Sequence, residues 1–417
     1  MAEFAVFLAA ALLLAVSLLA RPVERALLSG PMLFLALGVL LGPLGLGAVD
    51  AADHGGAIIA IVAEATLIIV LFEDACLIRM SGMRRDRVAG GLAARLLLVA
   101  LPLCIIAGAL IAAALFPEFL IAEAFVLALI LAPTDAALCA PVFNSKKVPE
   151  PVKEALNADS GLNDGICLPL LLLALAISTL GLEMQLADRW AEFIGLQLVL
   201  GPLTGAFVGW AGAALLKHAL QRGWVLEELK GLTMPCLAII AALAAEMLGG
   251  NGFLAAFLGG LVFGNRLSAA QLAPLSRFTR AEGAVLILAT FCLFGAVAVA
   301  AVLPLLEWRH LWYAIASLTI VRTVPVALSM IGAGMPVATW LFLGWFGPRG
   351  VASILYLQLV SETQGFMELG RIGPAVVLTV CLSAVLHGMS AGPATALYAR
   401  SLGQAADARK APRRTVS

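Results

Sequence analysis

Long apolar segments separated by short polar ones run through this chain from end to end. A helix of about 20 apolar residues crosses the roughly 30 Å hydrocarbon layer of a bilayer. On that criterion we predict thirteen spans, near residues 4–20, 26–48, 57–78, 88–116, 121–143, 154–180, 192–216, 231–248, 251–265, 283–305, 311–332, 338–360 and 373–398. The pattern therefore predicts an all-α polytopic membrane protein.

Two of the predicted spans contain a break near their middle, the fifth at residues 132–135 and the twelfth at residues 346–350. Each break contains a proline, which removes a backbone donor and interrupts helical hydrogen bonding. Each broken span is the fifth of a six-span unit, and the two units start seven spans apart, so they cross the membrane in opposite directions. Two inverted repeats with crossing discontinuous helices fit this layout. Taken singly, each break would also fit an ordinary proline kink.

The expected organisation is a single transmembrane transporter domain over about residues 1–400. Its first repeat covers about 4–180, a linking span 192–216 follows, and the second repeat covers about 231–398. Residues 401–417 form a short basic tail, for which contact with lipid is a sufficient explanation.

Composition agrees with this class and excludes others. Of the 417 residues, 62% are hydrophobic and 12% are charged, and the mean hydropathy is +1.03, far from the values of a soluble domain. The 7 cysteines lie in apolar segments without the spacing of a disulfide framework or a zinc site. A formal net charge of +0 gives no indication of a nucleic-acid partner. We expect neither an enzyme nor a resident cofactor.

The positions of the 26 Lys and Arg residues give an orientation, because these residues accumulate in cytoplasmic loops. With thirteen spans, most of them fall on one side, and only Arg189, Arg309 and Arg371 fall on the other. The charges around the first apolar segment, residues 4–20, follow it rather than precede it, which is the wrong order for a signal peptide. We therefore predict that the N-terminus lies outside and the C-terminus in the cytoplasm.

The sixth span carries Asp159, Asn163 and Asp164 within an otherwise apolar segment. Acidic residues inside a membrane are costly, so they usually mark the path of an ion or a proton. Asp159 and Asn163 are four residues apart and share a helical face, whereas Asp164 points about 100° away. The two acids are therefore expected to have different partners.

Asp164 beside the Asn163 amide offers hard oxygen ligands for a small cation, and Thr134 with the carbonyls freed at the first break can complete the shell. Because burial disfavours the charged form, such a carboxylate can hold either a proton or a cation. Competition for one group would couple the two fluxes. A purely structural acid, satisfied by hydroxyls and helix termini, is the alternative.

Three further charged residues are expected near this centre. Arg322 lies midway along the eleventh span and needs an acidic partner, for which Asp159 is the first choice. Asp135 can offset the positive end of the half-helix that begins at its own break, either as a structural cap or in contact with the ion. Arg349 is expected to neutralise carbonyls and Asp135 where the broken helices cross.

Other ionisable residues stay open. Glu73 and Asp74 lie near the cytoplasmic end of the third span, where they would line an inner vestibule or simply be solvated. The sequence leaves the roles of Glu64, Arg95, Glu246 and His387 unassigned, including a Glu64–Arg95 ion pair as one alternative. A lone histidine on an apolar helix is more often a hydrogen-bonded packing residue than a pH sensor.

Four motifs make the chain resemble a known family, the monovalent cation/proton antiporters of the NhaP type, which are related to the animal sodium/proton exchangers. They are APTDAAL at 132–138, NADSGLNDG at 157–165, VRTVPV at 321–326 and GPRG at 347–350. LFEDACL at 71–77 is a weaker match. The Asn-Asp pair in the second motif is the most specific signal, because in this family it marks the ion site.

The resemblance implies that Asp164 carries the cation or the proton, with Asn163, Thr134 and Ser160 near it. Asp164, Thr134 and Ser160 would hold Na⁺, and Glu73 is a further candidate ligand. It also implies a stabilising Asp159–Arg322 pair, a homodimer, and an elevator-like motion of a core that contains spans 5, 6, 11, 12 and 13. Two positions depart from the family pattern: Asp159 stands where glutamate is usual, and Ala136 where proline often follows the Thr-Asp pair.

We therefore expect a sodium/proton antiporter of a bacterial inner (plasma) membrane. Asn rather than Asp at position 163 leaves Asp164 as the one freely titrating acid, so exchange of one cation for one proton, which is electroneutral, is expected. The sequence leaves Li⁺ as a further cation and K⁺/H⁺ exchange by the same fold as alternatives. A sodium-coupled symporter of an organic solute is less favoured, because few substrate-sized polar groups surround the breaks. A channel or membrane sensor is the remaining alternative.

Overall fold

Each of the thirteen predicted spans coincides with a helix or a pair of helices in the computed structural model, which describes residues 2–19, 28–48, 56–78, 87–139, 142–143, 145–180, 194–363 and 369–410. The helices are α1 (Ala2–Leu18), α2 (Gly30–Leu41), α3 (Gly56–Leu77), α4 (Arg87–Arg95), α5 (Leu101–Leu115), α6 (Ile121–Ile130), α7 (Glu150–Leu180), α8 (Gly201–Gln221), α9 (Thr233–Met247), α10 (Gly252–Arg266), α11 (Ala269–Val302), α12 (Trp308–Leu318), α13 (Ile320–Ser329), α14 (Val337–Trp345), α15 (Val351–Glu362) and α16 (Leu369–Lys410).

The described part of the chain contains helices and no strands, as predicted. Seven helical segments in it are long and apolar enough to cross a bilayer, and five further apolar helices are shorter. Among the basic residues used for the orientation, positions 21, 25, 79, 84, 85, 189, 413 and 414 lie outside the described residues. The all-helical, multi-pass character is confirmed, and the inverted repeats stay a prediction.

Prolines account for several irregular segments. A π-helical stretch directly precedes both α5 and α8, namely Leu96–Ala100 and Ile194–Leu200, and the second residue of each of these helices is a proline, Pro102 or Pro202. A proline cannot donate to the preceding turn, so the hydrogen-bond register shifts there. The eleventh span is also divided, since Thr319 (φ −116°, ψ −84°) separates α12 from α13.

Two helices extend beyond their predicted limits. The span predicted near 283–305 belongs to α11, which already begins at Ala269. The last span, predicted to end near 398, continues as α16 to Lys410 and so includes part of the predicted basic tail. Polar ends of helices outside the apolar region leave no mark in hydropathy, so the apolar segment underestimates their length.

The helices pack as two units. Helices α1–α3 and α8–α11 contact one another extensively and form what we call the scaffold; α4–α7 and α12–α16 form the core. The core contains the predicted spans 5, 6, 11, 12 and 13, and span 4 in addition. The two units meet where α3, α10 and α11 contact α7, α15 and α16.

Small residues bring the scaffold helices close together. A Cβ atom on Gly205 or Gly209 of α8 would overlap the backbone of Ala255 or Gly259 of α10. Further contacts of this kind join α2 to α11 and α10 to α3, through Gly38, Gly42, Gly260 and Gly264. Because lipid is as apolar as these helices, close backbone packing takes the place of a hydrophobic driving force.

Candidate functional site

The two broken spans meet in the middle of the core. Helix α6 ends at Ile130 and α14 at Trp345, and each is followed by non-helical backbone. The Asp135 amide donates to the Pro348 carbonyl oxygen over 2.8 Å. The breaks are therefore joined by a backbone hydrogen bond between residues more than 200 positions apart.

Asp135 caps the helix that follows the other break. Its Oδ2 atom accepts a hydrogen bond from the Val351 amide at 2.9 Å, at the N-terminus of α15. A Cβ atom on Gly350 would overlap the Asp135 carboxylate, so the approach requires glycine. The sequence predicts that this acid offsets the half-helix of its own break; the structure shows it at the positive helix end of the crossing span.

Arg349 makes the complementary contact at the first break. Its Nη1 atom donates to the carbonyl oxygens of Ala132 at 2.5 Å and Pro133 at 3.2 Å, just beyond the C-terminus of α6. Its backbone amide donates to Ser383 Oγ of α16 at 2.7 Å. The cation therefore lies where helix carbonyls lack intrahelical donors. Of the two predicted roles of Arg349, the contact with carbonyl oxygens is present, while Asp135 accepts a hydrogen bond from the Val351 amide.

The predicted pair between α7 and α13 is also present: Arg322 Nη2 donates to Asp159 Oδ2, and both side chains are 1% exposed. An aspartate in place of the glutamate usual in the family is thus long enough to reach the arginine. A Cβ atom on Gly347 would lie 2.6 Å from Arg322 Nε. The glycine of the second break therefore makes room for the guanidinium.

Polar oxygens from α7 and the first break converge beside Asp164. Asn163 Nδ2 donates to Thr134 Oγ1 at 2.8 Å, and Thr134 Oγ1 lies 3.2 Å from Ser160 Oγ. Thr134 and Asn163 are buried and Asp164 is 7% exposed. The structure thus brings together the four residues that were predicted to surround the ion.

Two of these oxygens have no hydrogen-bond donor among the described residues, namely Asp164 Oδ1 and Asn163 Oδ1. Buried polar oxygens are normally satisfied, so such atoms call for an explanation. The Asp164 backbone carbonyl, in contrast, accepts a hydrogen bond from Tyr356 OH at 3.0 Å. The backbone is therefore held while the carboxylate keeps coordination capacity, an arrangement suited to a hard cation or a proton.

A cavity of about 590 Å³ reaches this cluster. One wall comes from α3 and α11 of the scaffold, and the other from α7, the first break and α15 of the core. Its polar and charged lining residues are Glu73, Asp74, Thr134, Asp135, Asn157, Ser160 and Asp164. The candidate ligand Glu73, which is 5% exposed, thus faces the core from the scaffold.

The cavity lies toward one end of the membrane-spanning bundle. Its scaffold wall uses the second half of α3 as far as Leu77 and residues Gly283–Ile287 of α11. Toward the other end, Gly165 of α7 packs on the Phe257 ring of α10 so closely that a Cβ atom would overlap it. Phe257 therefore lies at the contact between core and scaffold, against the residue that directly follows Asp164.

Three residues near the site have no predicted role as ligands of the ion. Asn157 lies seven residues before Asp164 and lines the same cavity, so its helical spacing is a signal that was available. Asp74 is predicted together with Glu73 to line an inner vestibule or to be solvated, and both residues line the cavity. Tyr356 carries no such signal, because its contact with Asp164 joins helices 192 positions apart.

The residues whose roles the sequence leaves open have different surroundings in the structure. Arg95 Nη1 donates to the carbonyls of Ser329 at 2.6 Å and Ile331 at 2.9 Å, at the C-terminus of α13. Glu64 lines a small cavity of about 20 Å³ with Gln358 and Glu362. His387 is buried and lies 3.0 Å from the Trp345 carbonyl, so it is a hydrogen-bonded packing residue at the second break.

Comparison with known proteins identifies the wider family. The sequence model described as "Sodium/hydrogen exchanger, transmembrane" matches residues 8–397. The structure superposes on the sodium proton antiporter MjNhaP1 from Methanocaldococcus jannaschii with a TM-score of 0.73 and 20% identity, covering 93% of this chain and 99% of that one. At this identity the likeness establishes the fold.

Curated relatives carry two kinds of description. A Na(+)/H(+) antiporter of Schizosaccharomyces pombe is 24% identical over 312 residues, which are 66% of this chain and 65% of the relative. A K(+)/H(+) antiporter NhaP2 of Shewanella oneidensis is 27% identical over 370 residues, 84% of this chain and 59% of the relative. The chain thus spans less than two thirds of the length of these relatives.

Proposed function

The chain belongs to the sodium/hydrogen exchanger family, and from this membership we propose that it is a secondary antiporter exchanging Na⁺ for H⁺ across a membrane. The observation that carries the proposal is the Asp164 carboxylate at the cavity, beside Thr134, Asn163 and Ser160. Its Oδ1 atom has no donor among the described residues. The site therefore supplies oxygen ligands and a titratable group at one place.

Exchange follows from competition for that group. Asp164, Thr134 and Ser160 bind Na⁺, with Asn163 orienting Thr134 through its hydrogen bond and Glu73 as a further ligand from the scaffold. A metal ion requires the deprotonated carboxylate, so binding of Na⁺ expels the proton and binding of the proton expels Na⁺. Movement of the core against the scaffold, in an elevator-like manner, exposes the loaded carboxylate to either side.

One proton is exchanged for each cation. Asp159 is paired with Arg322, and position 163 carries an amide, so Asp164 is the remaining acid of the motif that can exchange a proton for the cation. Such exchange moves no net charge. In proteoliposomes with a potassium-clamped membrane potential, the transport rate should therefore not depend on that potential; a clear dependence would contradict electroneutral exchange.

K⁺ is the second candidate cation. The curated relatives described as K(+)/H(+) antiporters include one that aligns with 84% of this chain, which is the observation that favours it. Cavity size and ligand flexibility set selectivity between such ions, and Li⁺ is the third cation to be compared.

The assembly that we propose is a homodimer in the plasma membrane, with the N-terminus outside and the C-terminus in the cytoplasm. Residues 1–400 form one transporter domain of two inverted repeats, about 4–180 and 231–398, joined by a linking span at 192–216. The distribution of Lys and Arg between the two sides supports the orientation. The crossing of the two broken spans supports the repeats.

Proteoliposomes with a trapped pH-sensitive dye test the central function. We expect Na⁺ added to one side to move protons in wild type and not in Asp164→Asn, and parallel additions of K⁺ and Li⁺ to rank the cations. Glu228→Gln, which removes an exposed carboxylate in the loop before α9, is the matched control and should transport normally. A folded wild type without any cation-dependent signal would contradict antiport and favour a sodium-coupled solute symporter.

A further inference from the structure

Three cations at one end of the scaffold have no acidic partner within the described part of the chain. They are Lys217 and Arg222 at the C-terminal end of α8 and Arg266 at that of α10. Within the described part of the chain, none of their side chains has an ion pair or a hydrogen bond. The nearby Glu227 is held by Lys230 at 3.1 Å. The three positive charges are therefore available to an external anion.

The opposite end of the molecule differs. Helix α11 begins three residues after Arg266 and ends shortly before Arg309. Arg309 Nη1 lies 2.8 Å from Glu118 Oε1, and its Nη2 atom lies 2.7 Å from Glu307 Oε2. Arg371 lies 3.9 Å from the same Glu118 carboxylate. The cations at that end are therefore paired with acidic residues of the protein. Of the two clusters, the one at the end of α8 and α10 is the one whose cations have no acidic partner among the described residues.

Aromatic and apolar side chains adjoin the unpaired cations in a definite order. The Arg266 guanidinium lies 5.6 Å from the centroid of the Trp210 ring, and that of Arg222 lies 5.0 Å from Trp224. Phe207 and Leu203, one and two turns before Trp210 on the same face of α8, are 65% and 61% exposed. We call Leu203, Phe207, Trp210, Lys217 and the adjoining Arg266 the α8 face.

We propose that the α8 face binds an anionic phospholipid, with its phosphodiester against Arg266 and Lys217 and its acyl chains along Leu203 and Phe207. The order of side chains along α8 matches the order of chemistry in a lipid leaflet: apolar residues for the chains, tryptophan at the interface, and cations for the headgroup. The Trp210 ring fixes the Arg266 guanidinium by a cation–π contact while leaving its N–H groups for phosphate oxygens. This proposal does not depend on the transported ion.

Native mass spectrometry of the full-length protein, released from detergent micelles containing equal amounts of dioleoylphosphatidylglycerol and dioleoylphosphatidylcholine, tests it. Wild type should retain dioleoylphosphatidylglycerol, the anionic lipid, in preference to dioleoylphosphatidylcholine. Lys217→Gln with Arg266→Gln should reduce that preference about 20- to 30-fold, since each cation near an anionic headgroup contributes roughly fivefold. Arg266→Lys with Lys217→Arg should keep most of it, and Trp210→Leu should lose part.

Arg371→Gln is the control, because it removes an exposed arginine at the other end, and it should bind lipid as wild type does. Equal retention of both lipids by wild type, or an undiminished preference in the double glutamine variant, would overturn the proposal. Free glycerol phosphate that displaced the anionic lipid at equal concentration would overturn the lipid assignment. A double variant that changed the number of protein copies but not the bound lipid would identify the face as a protein interface instead.

Discussion

In the scaffold, α8 and α10 touch through Gly205 and Gly209, backbone against backbone, whereas in the core the two broken spans are held by charged side chains. Asp135 meets the N-terminus of α15, and Arg349 meets the carbonyls after α6. The scaffold thus packs as uniform helices do in lipid. The core contains buried charges and irregular backbone, both of which are costly. It also contains the buried Asp164 carboxylate, whose Oδ1 atom has no hydrogen-bond donor among the described residues.

Function in such a chain is placed where the backbone departs from regular helix. Non-helical backbone at membrane depth requires internal partners for its polar groups. Each of the two crossing breaks provides a partner for the other: Arg349 donates to carbonyls of the first break, and Asp135 accepts from the helix after the second. The Asp164 carboxylate lies beside this crossing and is not part of it. Structural charges and the candidate ion-binding charge are therefore separate residues, and mutations should distinguish them.

The largest effect is expected at the buried ion pair. Arg322→Ala leaves the Asp159 carboxylate buried without its cation, and should lower the free energy of unfolding by about 3 to 5 kcal/mol. Adding Asp159→Ala should recover part of the loss. Thermal unfolding in detergent is the measurement, with Lys153→Gln as control: its partner Glu150 is 75% exposed, so the change should cost at most about 1 kcal/mol. Equal effects of Arg322→Ala and the control would refute a structural role for the pair.

A scaffold glycine gives the next effect. Gly209→Ala would place a Cβ atom against the Gly259 backbone, and such overpacking should cost about 1 to 3 kcal/mol of unfolding free energy. Gly91→Ala in α4 is the matched control, because nothing lies within 4 Å of its Cβ position. Better helix propensity should make that change neutral or stabilising. Similar melting temperatures for both variants would show that close backbone packing does not hold the scaffold.

The boundary between the units can be tested by one pair of residues. Gly165→Ala should disturb the contact of α7 with the Phe257 ring, and Phe257→Ala in the same chain should relieve it. A double-mutant cycle on unfolding free energy should give a coupling of about 1 kcal/mol. Additive effects would mean that the two residues are not in contact in the state measured.

The smallest effect concerns the paired cations at the end away from the α8 face. The pKa of Glu118 is held below its usual 4.5, first by a hydrogen bond from its own backbone amide and further by Arg309. A lowered pKa in the folded state gives stability that is present above pH 4.5 and lost as the pH falls through the lowered value. Glu118→Gln should therefore reduce the melting temperature slightly at neutral pH, and the difference should shrink below pH 4.5. A difference that grew on acidification would contradict this sign.

Much of this arrangement was accessible from the sequence, and the reasons are physical. An isolated Arg322 in an apolar span needs an acid, and few acids share its depth, so Asp159 followed directly. Prolines within spans marked both breaks. The hydrogen bond from the Val351 amide to Asp135 could not be predicted from the sequence, because the partner of Asp135 depends on how two distant spans cross.

Other features had no local signal. The contact of Arg95 with Ser329 and Ile331 joins spans through carbonyl groups, which every residue carries. Tyr356 likewise reaches a backbone carbonyl, that of Asp164. Hydropathy shows which residues prefer lipid. It does not show which side chains hydrogen-bond to backbone groups of another helix, because every residue carries those backbone groups. Asn157 is the exception, since its spacing from Asp164 was visible.

The central claim is that Asp164 holds either a proton or a cation. It is tested most directly by proton release from purified protein in weakly buffered detergent solution on addition of Na⁺, without any membrane gradient. We expect release of about one proton per chain from wild type near the pH at which Asp164 titrates, and none from Asp164→Asn. Undiminished Na⁺-dependent release from a folded Asp164→Asn variant would contradict it.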